Sequence, residues 1–134
     1  MKKIALLEKN DRAVLFSRTA EKINMHPSIV EKDFWVCFML DHLFHDCAYK
    51  GAFVFKGGTS LSKSYHVIER FSEDIDLILD WRKLINNTNP WGERSKTKQD
   101  LYNKTINANA ADFYREELVS TLNNELSKKL SEKP

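Results

Sequence analysis

The sequence predicts an α+β fold in which helices flank a small sheet, and three stretches carry that expectation. Residues 53–79, FVFKGGTSLSKSYHVIERFSEDIDLIL, join a short apolar run, a Gly-Gly turn, one amphipathic helix and a second apolar strand. Residues 29–46 are apolar over much of a helical circumference, with Val30, Phe34, Trp35, Cys37, Phe38 and Leu40 marking a helix central to the core. From Ser95 or Lys96 onward, Leu101, Ile106, Phe113, Leu118, Leu122, Leu126 and Leu130 recur at helical spacing. The expected layout is N-terminal helices (1–50) packed on a small, incomplete sheet (strand, turn, helix, strand over 51–80), with a long C-terminal helical segment (95–132).

In order along the chain, Ala13, Val14, Phe16, Ala20 and Ile23 predict a first helix over 10–24, with Asn10 or Asp11 able to cap it. His26-Pro27 breaks it, and Ser28 with Glu31 reads as an S-x-x-E capping box opening the second helix. Asp41, His42, His45, Asp46 and Cys47 gather where that helix ends. Nothing elsewhere in the sequence completes a four-ligand set with zinc-like pairing, and the helix dipole alone favours histidine there, so the expectation is a solvated helix end. After the second strand, Asp80-Trp81-Arg82 and residues 86–90 read as loop. The C-terminal helix is expected to bend near 107–110, where Asn103, Asn107 and Asn109 are weak helix formers.

The chemistry concentrates in residues 53–79. Alternation puts Asp74, Asp76 and Ile78 on one face of the second strand and Glu73, Ile75, Leu77 and Leu79 on the other. Residues two apart on a strand lie about 7 Å apart at the backbone, so the two carboxylates can converge on one hard divalent cation. Upstream, Gly57 and Gly58 let backbone amides approach an anion closely, and the helix that follows offers unpaired N–H groups and a positive dipole end. Thr59 and Ser60 add hydroxyls, and Lys63 sits one turn on. Ser72 and Arg70 flank the acidic strand and fit either a phosphate contact or a turn and a surface charge. Lys56 reads as a solvated strand-end lysine.

The Walker pattern GxxxxGK[ST] and the dinucleotide pattern GxGxxG are both absent, and Asp74-Ile75-Asp76 runs into an apolar strand without the glycine of an EF-hand. What remains is a GG[ST] turn, a helix, and DxD with 14 residues between Thr59 and Asp74. This resembles the signature of polymerase-beta-like nucleotidyltransferases. With EKDFWVCFMLDHLF upstream and SKTKQDLYNKTIN downstream, the segment FKGGTSLSKSYHVIERFSEDIDL is similar to the AbiEii/AbiGii toxin family, over about residues 23–118. The resemblance implies a toxin of a toxin-antitoxin or phage-defence pair that uses Mg2+ to move a nucleotide from an NTP to an acceptor, tRNA in some members, and that is held by a cognate antitoxin. It assigns Asp74 and Asp76 as catalytic metal ligands, and Gly57, Gly58, Thr59, Ser60, Lys63 and Ser72 as the phosphate-binding set.

The same resemblance implies a third carboxylate from a later strand, and the acids after Asp80 fall in loop or helix. The chain therefore reads as a single nucleotidyltransferase-like domain forming the N-terminal part of a longer protein, inactive unless that acid is supplied. A non-catalytic NTP-binding or interaction module stays open beside the enzyme. A DxD glycosyltransferase is disfavoured by the chain's 134 residues and by the GG[ST] turn.

Composition limits the rest. With 42% hydrophobic residues the chain can build a core, and it holds no repeats or linker. The polar start and the lack of an 18-residue apolar run argue for a cytoplasmic protein without a membrane partner. Two cysteines, Cys37 and Cys47, make no disulfide framework and fit a reducing compartment. Net charge is +2, so a nucleic-acid partner is allowed but not demanded.

Overall fold

A computed structural model describes residues 1–57, 74–84 and 89–131 of the chain. It shows an α+β arrangement, mostly helical with one small two-stranded antiparallel sheet. Helix α1 spans Lys2–Ala5, α2 Lys9–Ile23 and α3 Pro27–Asp41, and α3 continues into a π-helical turn, His42–Asp46. Strand β1 (Phe53–Lys56) pairs with β2 (Asp76–Leu79), and a 3-10 turn follows at Trp81–Lys83. The C-terminal segment runs through α4 (Lys96–Asp112), a second π-helical turn (Phe113–Leu118) and α5 (Val119–Ser131). No helix among the described residues is long and apolar enough to cross a membrane.

Local chemistry sets most of these boundaries. Helix α2 ends at Asn24, which takes the left-handed conformation with φ +53 and closes the last turn through its N–H. The N-cap of α3 is His26, not the Ser28 expected from the capping-box pattern. Its Nδ1 accepts from the Ser28 N–H, and Pro27 occupies the first helical position, where its missing donor costs nothing. Ser95 caps α4 by accepting from the Lys98 N–H. Asp80 caps the 3-10 turn by accepting from the Arg82 N–H at 3.0 Å.

The expected bend at 107–110 is absent. Helix α4 runs through those asparagines, and the irregular turn starts at Phe113 instead. Helix propensities of asparagine cost only a few tenths of a kcal/mol each, whereas a π turn re-aims large side chains. Here it lets both Phe113 and Leu118 reach the interior, and Asn109 finds its own partner by donating to the Leu84 carbonyl at 3.1 Å.

The helical hairpin of α2 and α3 is fastened by Phe16 against Phe34, with ring centroids 5.4 Å apart, and by the Arg12 guanidinium over Trp35. The main core lies further along, where Leu43, Cys47, Ala52, Phe53, Phe113 and Leu118 bury one another. α3 therefore contributes to the interior through Val36 and Phe38 and through its π-helical extension rather than as the central element. The inner face of the sheet supplies Phe53, Leu77 and Leu79 to this cluster. Phe113 is its hub, edge-on to Tyr49 at 4.9 Å and tilted against Phe53 at 6.4 Å.

The end of α3 is not a solvated helix end, contrary to the sequence expectation. His42 is 2% exposed and Cys47 fully buried, and both face Glu125 of α5. The His42 Nε2 lies 2.9 Å from Glu125 Oε2, while the Ala48 N–H donates to Glu125 Oε1 at 2.9 Å. Lys129, one helical turn on, donates to Asp46 at 2.6 Å and covers the Phe38 ring. Asp41, His45 and Asp46 keep the exposed positions expected of them, His45 paired with Asp41. Position 125 lies 83 residues from His42, so no local spacing could reveal this clasp.

Two stability predictions follow from this packing. Phe113→Ala should cost about 3–5 kcal/mol in denaturant unfolding, while Val119→Ala on the exposed side should stay within about 0.5 kcal/mol; equal costs would remove Phe113 from its hub role. Burial pushes the Glu125 carboxyl up, but the Ala48 N–H, the Cys47 thiol and the His42 ring outweigh it and hold the carboxyl below its ordinary value. A carboxyl lowered on folding stabilises above its unfolded value of about 4.3 and loses that contribution as pH falls below it. Unfolding free energy measured against pH should therefore fall through that acid range in the native chain and less steeply in Glu125→Gln.

Candidate functional site

The site is fixed by the register of two short strands. Phe53 pairs with Leu79, Val54 with Ile78, Phe55 with Leu77 and Lys56 with Asp76. Because side chains alternate, Phe53, Phe55, Leu77 and Leu79 turn toward the core while Val54, Lys56, Asp76 and Ile78 turn outward. Asp74, two residues before Asp76, is exposed as well. Burial of the inner leucines thus holds the Asp76 carboxylate on the accessible side, as alternation anticipates, whereas Asp74, expected on the same strand, lies just ahead of β2, which begins at Asp76.

The same register brings Asp76 onto the glycine turn. Gly57 follows β1 with φ +78, a conformation that L side chains rarely adopt, so glycine is needed on backbone grounds alone. A Cβ placed on Gly57 would meet the Asp76 side chain, with Cγ at 2.8 Å and Cβ at 3.0 Å and the carboxylate oxygen nearer still. The carboxylate of Asp76 is therefore packed directly against the main chain of the turn. Any side chain at 57 would have to push it away.

Of the residues expected to form the site, Gly57, Asp74 and Asp76 are described, and Gly57 and Asp76 are in contact. Gly58, Thr59, Ser60, Lys63, Arg70 and Ser72, together with the amphipathic helix, lie outside the described residues. Lys56, opposite Asp76 in the ladder, is exposed, as expected of a strand-end lysine. Chemically, the exposed carboxylates of Asp74, just ahead of β2, and Asp76, its first residue, are hard oxygen donors of the kind that Mg2+ and Ca2+ accept. An adjoining turn at positive φ presents main chain without a covering side chain.

Among the described residues, two cavities lie away from this pair. One of about 480 Å3 opens beyond the far end of β2, between Lys83, Leu84, Tyr49, Phe113 and the acids Asp112, Glu116 and Glu117. There the Tyr49 hydroxyl donates to Glu117 Oε2 at 3.0 Å, and this hydrogen bond raises the phenol above its ordinary value. The other, of about 470 Å3, lies beside His42 and Glu125. Glu125 is the chemically relevant residue that reading the sequence misses; its one signal, a glutamate amid leucines four residues apart, is ordinary for an amphipathic helix.

Comparison with known proteins gives one match, to the family described as nucleotidyl transferase AbiEii toxin, type IV toxin-antitoxin system, over residues 39–131. The matched span starts and ends later than the resemblance in the sequence, leaving α1, α2 and most of α3 outside it. No curated protein and no solved structure matches the chain. The matched span covers more than half of the chain and contains β1, the Gly57 turn, both aspartates and the C-terminal helices, and on that basis the chain belongs to the AbiEii family of nucleotidyl transferase toxins.

Proposed function

We propose that this protein is a nucleotidyltransferase toxin that transfers a nucleotide from an NTP to an acceptor, with tRNA the first acceptor to test, and that Asp74 and Asp76 hold its Mg2+. The observation that carries the reading is the contact between Asp76 and Gly57 on the exposed face of the sheet. The acid assigned to the metal and a turn suited to phosphate are adjacent there, although they lie 19 positions apart in sequence. Family membership supports the reaction class and an antitoxin partner.

The donor set fits a hard cation, since both ligands are carboxylates and both are exposed. When bound, magnesium supplies neutralisation of the triphosphate and activation of the attacking hydroxyl. The chain's own contribution is positional. β2 holds Asp76, with Asp74 two residues ahead of it, Gly57 admits Asp76 to the turn, and Gly58, Thr59, Ser60, Lys63 and Ser72 are assigned to the phosphates. In the transfer, an acceptor hydroxyl oxygen bonds to the α-phosphorus as its proton passes to solvent, the bond to the bridging oxygen breaks, and pyrophosphate leaves with that electron pair. A third carboxylate is not on either described strand. That fact favours a second reading, a module that binds NTP with magnesium and does not turn it over.

Two variants test the assignment. Asp76→Ala should reduce transfer of label from NTP to an RNA pool by about 100-fold or more while circular dichroism and unfolding stay near wild type, because the lost side chain is an exposed ligand. Wild-type transfer by that variant would refute it. Gly57→Ala should impair transfer comparably through displacement of the Asp76 carboxylate and should also cost about 1–2 kcal/mol of stability from its positive φ. Magnesium-dependent NTP binding with no transfer by the native chain would select the non-catalytic module.

A further inference from the structure

The cluster beneath α5 carries an inference independent of the proposed reaction. One ring nitrogen of His42, the Cys47 sulfur and a carboxylate oxygen of Glu125 all lie within 4.8 Å of one another. His42 is 2% exposed and Cys47 0%. We propose that His42, Cys47 and Glu125 bind a single divalent transition-metal ion of the zinc class, tying α5 to the end of α3.

Each ligand is already aimed by its surroundings. In an α-helix, positions 42 and 47 would diverge by about 140°, but the Cys47 N–H donates to the His42 carbonyl at 2.8 Å in a wider i→i+5 turn that turns both toward α5. The Tyr49 N–H points at the Cys47 sulfur at 3.4 Å, the kind of outer contact that steadies a metal-bound thiolate. The Ala48 N–H holds one oxygen of Glu125, leaving the other facing His42. His42 Nδ1 is buried with no hydrogen-bond partner among the described residues.

Donor chemistry selects the metal. A thiolate and an imidazole beside one carboxylate suit a borderline-soft ion and not magnesium. Thiolate and carboxylate together balance the two positive charges, so the buried site is neutral when filled. Tetrahedral donors about 2.0–2.3 Å from an ion sit about 3.5 Å apart, so the widest pair closes by roughly 1 Å. Asp46 lines the adjoining cavity but is held by Lys129, which leaves water as the fourth ligand and the cavity as the entry path.

Cobalt(II) added to the metal-free 134-residue chain, followed by zinc, tests this. The expected result is one equivalent bound, a thiolate-to-cobalt charge-transfer band that zinc abolishes, and a rise in Tm of about 5 °C at saturating zinc. The band should persist in Cys37→Ser, where Cys47 is the remaining thiol, and in Asp76→Ala. Glu125→Gln should keep the band but weaken affinity at least about 10-fold, and Cys47→Ser should lose it. A folded native chain showing no band, or a band lost in Cys37→Ser, overturns the proposal whether or not Cys47→Ser folds. Loss of the band in Asp76→Ala would place the ion at the exposed pair and also overturn it.

Discussion

The meeting of Asp76 with the glycine turn depends on the register of one four-residue ladder. A strand pair can slip, and a slip by one residue turns every side chain to the opposite face. Here slippage would drive Asp76 into the aromatic core and expel Leu77 and Leu79, so burial of the inner face specifies the pairing. The contact between Asp76 and Gly57 is a consequence of the same register, since Gly57 is the residue after the strand position that faces Asp76. Two strands alone would be marginal in water, and they persist because helices cover their inner face.

That cover comes from both ends of the chain. The π-helical turn after α3 and the π-helical turn after α4 place Leu43, Phe113 and Leu118 on the sheet, while Glu125 and Lys129 fasten α5 across the end of α3. Exposed ion pairs contribute little by themselves, and Lys129 with Asp46 belongs to that class by its half-exposed carboxylate. The Glu125 contacts differ because their partners are a buried ring and a backbone N–H, and removing the carboxylate would strand both. The exposed face of the sheet and the Glu125 clasp thus both rest on one core.

Much of this architecture was legible from side-chain pattern. Alternation along the second strand placed Asp76 outward, His26-Pro27 marked a helix boundary, and the leucine spacing after Ser95 marked the C-terminal helices. Errors arose where several local rules competed. Ser28 satisfied a capping pattern, yet Pro27 had already taken the first helical position and His26 supplied the acceptor. The asparagines around 107 pointed to a bend, but their small cost gave way to burying two large side chains six to eleven residues later.

By itself the sequence determined the α+β class, the family, and the presence of paired carboxylates and a glycine turn, because each is a matter of period or motif within a short window. Tertiary structure alone decided that His42 and Cys47 are buried beside Glu125, and that Asp76 lies on Gly57. Both facts require segments separated by 83 and 19 residues to meet, and such meetings are set by the shared burial of a core, which no local spacing records.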